Sequence, residues 1–245
     1  VFGMSTLGGC VRKASLKFMG YKGRPLTGSE KTTFFNGHSI EVMTLSTLEA
    51  IGYSVEYQAS VVLENEHNGK LIPVCQSKSD GLTRILGTPT VVSVKSTAYK
   101  MSGKRQGKWI RNGFAELPFK GVRGSNPSAY IQLQAEMLAG GFKQGLILYV
   151  AKDIVKAFEN DDYLGAKGNG SLTFYAEMIY PEPEVIEPVV REFTNALVLA
   201  KEGKAYPALY PHSSTYKYVE LNKAEYIPSN IWGGKNKELT GSFNP

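Results

Sequence analysis

Apolar positions along the chain follow two periods, one helical and one of strands. Across residues 33–51, Phe34, Ile40, Leu45, Leu48 and Ile51 approximate a repeat of about 3.6 residues, and Gly52 ends it. That spacing predicts an amphipathic helix. Residues 11–19 predict a shorter helix, after a turn-like Ser5 to Cys10 and before a loop at 20–28. Beyond Gly52 the pattern changes to alternation rich in Val and Tyr. Strands are predicted at 54–63, 70–76, 80–86 and 90–96, with Asn68-Gly69 as a hairpin turn between the first two. The last of these, Val91-Val92-Ser93-Val94-Lys95-Ser96, is apolar enough to lie centrally in a sheet.

Residues 97–125 show no period and read as irregular. A helix follows from Pro127 to Leu138, capped by Asn126 and stopped by Gly140-Gly141. Strands at 145–151 and 171–180 and a helix at 183–201, with acidic residues in its first turn, complete the pattern. The tail from 205 onward has no period. Strands arriving in a block, with helices around them, predict an α/β sandwich whose central mixed sheet has about five strands. Residues 1–205 form the expected domain, and 206–245 an irregular C-terminal tail.

Composition narrows the class. The chain has 245 residues, 42% of them hydrophobic, which is too apolar for disorder. The longest apolar run, Leu146 to Ala151, is far short of the roughly 20 residues a membrane helix needs. No leader pattern opens the sequence, so a cytoplasmic protein that avoids membranes is expected. Two cysteines and three scattered histidines cannot build a zinc finger or a four-cysteine cluster. Cys75, inside an apolar run, is expected in the core.

Charge matters through its placement. The net charge is +6, yet residues 1–31 carry +5 and residues 95–124 carry +7, leaving the remainder at −6. In the second segment Tyr99, Trp109, Phe114 and Phe119 interleave with the basic residues. Cations for phosphates and aromatic faces for bases suit a nucleic-acid channel. Lys100, Lys104, Arg105, Lys108, Trp109 and Arg111 are the expected DNA contacts.

Three features carry candidate chemistry. Glu41 lies on the first long helix, Asp80 opens a strand beside a turn, and Lys95 sits in a core strand, where an ammonium needs partners or a task. Asp80 and Lys95 on adjacent strands can face each other, with Glu41 closing over the sheet edge. Two carboxylates and a lysine in this arrangement suit a magnesium site for phosphodiester hydrolysis.

With Gly37 and Glu41, Asp80, Ser93-Val94-Lys95 and Tyr130-Ile131-Gln132-Leu133-Gln134 in this order, the sequence resembles the PD-(D/E)XK nuclease superfamily, in its RecB-like and lambda-exonuclease-like branches. The opening Ser5 to Arg12 is similar to the serine/cysteine/arginine start of RecB-like nucleases. The resemblance implies a restriction-endonuclease-like sandwich and a Mg2+- or Mn2+-dependent deoxyribonuclease, an exonuclease of DNA recombination, repair or phage metabolism. It implies Asp80, Glu41 and the Val94 carbonyl as metal ligands, Lys95 supporting the attacking water, Gln132 as a positioning group and Arg12 as a DNA contact. DNA is the implied partner, with a single-strand-annealing protein or further copies of the chain beside it. Cys10 is similar to the first ligand of iron–sulfur nucleases, but the tail holds no cysteine, so no iron–sulfur cluster is expected.

One position departs from the pattern. Where those nucleases carry the acidic residue of Glu-X-Lys, this chain has Ser93. A hydroxyl cannot replace that charge. Another carboxylate substitutes, with Glu116 and Glu136 nearest in sequence, or the site binds DNA without cutting it, or the serine is an inactivating change.

Overall fold

The computed structural model describes residues 1–21, 25–97, 99–105, 108–151 and 174–207, with the backbone alone described for the hairpin at 99–113 up to Asn112. Expectations for the tail beyond 207, and for the strand start at 171–173, lie outside the described residues.

A short strand β1 (Phe2–Gly3) and a 3-10 turn lead into α1 (Val11–Phe18). Helix α2 (Gly28–Ala50) begins a turn and a half earlier than the apolar repeat indicates. Its start is set by a capping box, in which Thr27 accepts from the Glu30 amide and the Glu30 carboxylate accepts from Thr27. The first half of α2 is mostly exposed, so it leaves no apolar period to read. Phe34, counted into that period, is 65% exposed.

The expected strand block divides between two sheets. Strands β3 (Ser60–His67) and β4 (Lys70–Lys78) pair through the Asn68-Gly69 turn, and β1 joins β4 in parallel. Asn68 and Gly69 both have positive φ, the conformation a two-residue hairpin turn demands. The larger sheet has the order β10-β9-β6-β5-β2, from β2 (Glu56–Tyr57), β5 (Gly81–Ile85), β6 (Thr88–Thr97), β9 (Gly145–Ala151) and β10 (Phe174–Ile179). β6 and β9 run parallel and the other pairs antiparallel, so the five-stranded sheet is mixed, as expected.

The described residues between 97 and 125 are regular, contrary to the reading from periodicity. They form a hairpin of β7 (Tyr99–Arg105) and β8 (Lys108–Gly113), a 3-10 turn, and α3 (Leu117–Ser125), which bends at Gly121. The hairpin is a separate two-stranded sheet, and its apolar positions are too few among the basic ones to set a period.

Helix α4 (Pro127–Gly140) is the centre of the molecule. One side packs Leu133, Tyr130 and Met137 against Val91, Ile147 and Tyr149 of the large sheet. The other side packs Ala135 with Val61, Val74 and Cys75 of the small sheet and with α5 (Pro183–Lys201). Burial on both sides explains why α4 shows no polar face. Cys75 is fully buried, as its apolar neighbours predict, and burial pushes its thiol up to about 12. Helix α2 covers the opposite face of the large sheet, where Leu45 meets Val92, Val94, Leu146 and Leu148. Among the described residues no helix is long and apolar enough to cross a membrane.

Candidate functional site

The chain passes from the small sheet to the large one between Lys78 and Gly81. Asp80 sits at this crossing. Ser79 ties the crossing down through its amide to the Ala59 carbonyl at 2.9 Å. Gly81 follows because space is short: a Cβ there would lie 3.0 Å from Val55 and 3.2 Å from Leu45. A side chain at 81 would therefore crowd Val55 and Leu45, next to Asp80.

Pairing of β5 with β6 ends at Gly81 opposite Val92. The edge of β6 beyond that point has lost its neighbour, and Asp80 fills the place. Asp80 Oδ2 accepts from the Val94 amide at 2.6 Å and from Ser93 Oγ at 3.3 Å, and lies 3.6 Å from Lys95 Nζ. In an extended strand the amide and carbonyl of one residue leave the same edge. The Val94 carbonyl therefore opens beside Asp80.

Alternation along β6 sorts the rest. Val92 and Val94 face α2, whereas Val91 faces α4, which puts Ser93 and Lys95 on the α4 side. Ser93 is buried, and Lys95 keeps about a quarter of its side chain in solvent. Glu41 comes from α2 along a line of residues three or four apart: Leu45 is buried, Glu41 half-buried, and His38 and Phe34 exposed. His38 Nδ1 lies 3.7 Å from Glu41 Oε2. Burial and the nearby charge of Asp80 hold the Glu41 carboxyl above its usual range, against the lesser pull of His38 and Lys95.

Helix α4 supplies Gln132 and Glu136. Gln132 Nε2 donates to Glu136 Oε1 at 2.9 Å, and Ser77 Oγ donates to the same oxygen at 3.1 Å. Glu136 is 1% exposed, and burial raises its carboxyl, with Lys95 lowering it and Asp80 raising it. Its other oxygen, Oε2, is buried without a hydrogen-bond partner. Gln134 points elsewhere, binding Tyr130, the Tyr180 carbonyl and the Glu182 amide. Glu116, the other carboxylate weighed against Ser93, pairs from the 3-10 turn with Lys120 of α3 at 2.8 Å.

Asp80, Val94 and Lys95 thus meet at one sheet edge with Glu41 near enough to feel Asp80, while the contact of Gln132 is with Glu136. Arg12 is 3% exposed within α1, so it adds nothing to the accessible surface there. Lys100, Lys104, Arg105, Lys108, Trp109 and Arg111 lie on the β7–β8 hairpin, and their side chains fall outside the described residues. Glu136 was legible only as one option among two. The signal that singles it out is its spacing of four from Gln132, which puts both on one face of a helix.

The donor chemistry fits a hard divalent cation. Asp80, Glu41 and a main-chain carbonyl are oxygen ligands, and magnesium needs only one or two carboxylates because it keeps several waters. Among the described residues no three acidic, histidine or cysteine side chains are gathered closely enough to cage an ion.

No family model and no curated protein matches this chain. Solved structures give likenesses. An alkaline exonuclease from Laribacter hongkongensis is 12% identical with a TM-score of 0.48, covering 91% of this chain and 93% of its own. Its complex with dAMP gives 12% and 0.47, over 91% and 97%. A phage-related exonuclease from Haemophilus somnus 129PT gives 12% and 0.49, over 82% and 93%. At such identities and scores the likeness does not extend to activity or substrate.

Proposed function

We propose that the chain is a metal-dependent DNA nuclease, acting on phosphodiester bonds at the vacated edge of β6. The observation that supports this is the placement of Asp80, whose carboxylate meets the Val94 amide and Lys95 at the open edge of β6, with Glu41 on α2 near enough to feel its charge. Two carboxylates near a single lysine leave a net negative site that a divalent cation can neutralise.

Asp80, Glu41 and the Val94 carbonyl would hold Mg2+ or Mn2+, which supplies positive charge at the scissile phosphate and acidifies water. The protein's own groups do the rest. Lys95 Nζ stands at the mouth of the site, within reach of solvent, where it orients the attacking water and offsets charge developing on the phosphate. Asp80 holds Lys95 in that position. Gln132 fixes Glu136, and through it the α4 side of the pocket.

The test is digestion of end-labelled linear duplex and single-stranded DNA with Mg2+ or Mn2+. Release of nucleotides above a metal-free control is expected, and none from either substrate would overturn the reading. Ser93 favours a second reading, a nuclease fold that binds DNA without cutting it. In that case the protein binds DNA equally with and without chelator and gains cleavage only when Ser93 is replaced by Glu.

The β7–β8 hairpin supplies the DNA grip in this reading. Each phosphate contact contributes a slope of about −0.7 to −0.9 to the dependence of log affinity on log salt. Replacing Lys104, Arg105 and Lys108 together by Ala should flatten that slope by roughly two to three units, equally on unrelated sequences. Trp109→Ala should weaken single-strand binding by about 1–3 kcal/mol if its ring stacks on a base. An unchanged slope in the triple variant would remove the hairpin from the DNA contact.

A further inference from the structure

Strand β3 leaves one edge open. It ends the small sheet, whose order is β1-β4-β3, and among the described residues no strand pairs with its outer side. At eight residues, Ser60–His67, it is long for an open edge. Both ends of the ladder with β4 fix which main-chain groups it exposes. At one end the Ser79 amide donates to the Ala59 carbonyl at 2.9 Å. At the other, His67 and Lys70 flank the two-residue turn as a hydrogen-bonded pair. Bonded and unbonded pairs alternate between these ends, and the extra residue at the register shift, Val74, lies on β4. Ser60, Val62, Glu64 and Glu66 therefore turn their amides and carbonyls outward.

A groove of about 550 Å³ runs along this edge. Five consecutive residues of β3, Val62 to Glu66, line it. Neighbours in a strand face opposite ways, so a groove touching all five follows the edge and not a face. Its far wall is Leu138 and Ala139 at the end of α4, with Glu187, Val190 and Arg191 of α5. Glu64, Glu66 and Glu187 give it three carboxylates against the one guanidinium of Arg191. That sign repels a phosphate backbone, so the groove does not continue a DNA track. It also disfavours a second β3, whose glutamates would line up beside these.

We propose that the open edge of β3 docks an extended segment of a partner protein in which basic residues alternate with apolar ones, added as a fourth strand of the small sheet. Main-chain hydrogen bonds to the outward groups of Val62, Glu64 and Glu66 supply affinity, and alternate side chains supply selectivity. Every second side chain of the added strand lies on the solvent side, beside the exposed Glu64 and Glu66. The others turn inward over Leu138 and Ala139. The groove lies toward the Asn68-Gly69 turn, whereas the chain leaves the opposite end of β4 to reach Asp80. A docked strand thus leaves the site at Asp80 open, and the inference does not depend on the nuclease reading.

Fluorescence anisotropy of a labelled heptapeptide, Lys-Val-Lys-Val-Lys-Val-Lys, titrated with the full chain, tests this. Saturable binding that weakens with salt is expected. Val62→Pro removes an outward amide that β4 does not use, a change that edge strands accommodate, and should lower affinity about tenfold or more. Replacing Glu64 and Glu66 together by Lys should lower it by a similar factor and remove the salt dependence. No saturation up to about 1 mM, or equal affinity for wild type and Val62→Pro, overturns the inference. So does a dimer of the chain that Val62→Pro dissolves, because a second copy then fills the groove.

If Val62→Pro does not fold, the peptide carries the change. Of two heptapeptides N-methylated at alternate amides, one in each phase, at least one should bind about tenfold more weakly, because its methyl groups meet β3. Both binding like the unmodified peptide would exclude strand addition.

Discussion

Lys95→Ala is expected to lower metal-dependent DNA cleavage by about 10²- to 10³-fold while the protein stays folded and still binds DNA. The magnitude is that of removing one preorganised charge from a developing anion. The fold should survive because Lys95 packs into neither apolar layer and its tip reaches solvent. Binding should survive because one phosphate contact among many accounts for only about one unit of salt slope. The measurement is the single-turnover rate on end-labelled duplex at saturating enzyme, with circular dichroism and a salt titration beside it. Lys95→Arg should not restore the wild-type rate, since a planar fork cannot take the place of a compact ammonium 3.6 Å from Asp80. A Lys95→Ala rate within threefold of wild type would take Lys95 out of the chemistry and leave it as a surface partner of Asp80.

The parts of this site written locally were legible in the sequence. Val-Val-Ser-Val-Lys reads as a buried strand ending in a charge, and β6 is that strand, fully buried from Thr90 to Val94. Asp80 next to Gly81 reads as a turn residue in phase with Lys95, and the 3.6 Å contact is what that phase produces. What periodicity could not show is which strands share a sheet. The hairpin of β3 and β4 alternates as well as any strand in the large sheet, yet it packs on the far side of α4. Only β6 and β9, buried on both faces between α2 and α4, differ locally from the hairpin strands; β2 and β5 carry no such mark.

The segment at 97–125 was missed for the opposite reason. Its hairpin is a two-stranded sheet of its own, and its basic-rich sequence holds too few apolar positions to set a period. The start of α2 was missed although Thr27-Gly28-Ser29-Glu30 spells a capping box, because the exposed residues after it obscured the helix. Glu136 is the instructive case. A helix buried on both sides reads as uniformly apolar, and a single acid in it is easily taken for the surface end of an amphipathic face. Only the two-layer packing of α4 shows that position 136 has no surface to reach.

Asp80→Ala and Glu41→Gln should move stability in opposite directions, although both remove a carboxylate from the same site. Asp80 accepts the Val94 amide at 2.6 Å where β6 has no neighbouring strand. Without it a part-buried N–H and Lys95 both lose their acceptor, which costs about 1–3 kcal/mol. At about 2–4 °C per kcal/mol for a chain of this size, the melting temperature should fall measurably at neutral pH.

Glu41 is the reverse. Its folded value is raised, by burial first and by Asp80 second, above the ordinary 4.5. Between those two values the folded chain holds more protons than the unfolded one, so the stability contributed by Glu41 is full below 4.5 and declines as pH rises through the raised value. Above that window an ionised Glu41 is a standing cost, and Glu41→Gln should remove it. The metal-free variant should therefore melt higher than wild type at pH 7 and match it near pH 4. Adding Mn2+ should narrow the gap at pH 7, because an ion bound only by the folded chain stabilises wild type more than the variant. The check is a pair of melting curves at each pH, with and without Mn2+. A Glu41→Gln variant less stable than wild type at pH 7 without metal would show Glu41 to be a structural ion-pair partner of His38 and Lys95, not a carboxylate held in place for a cation.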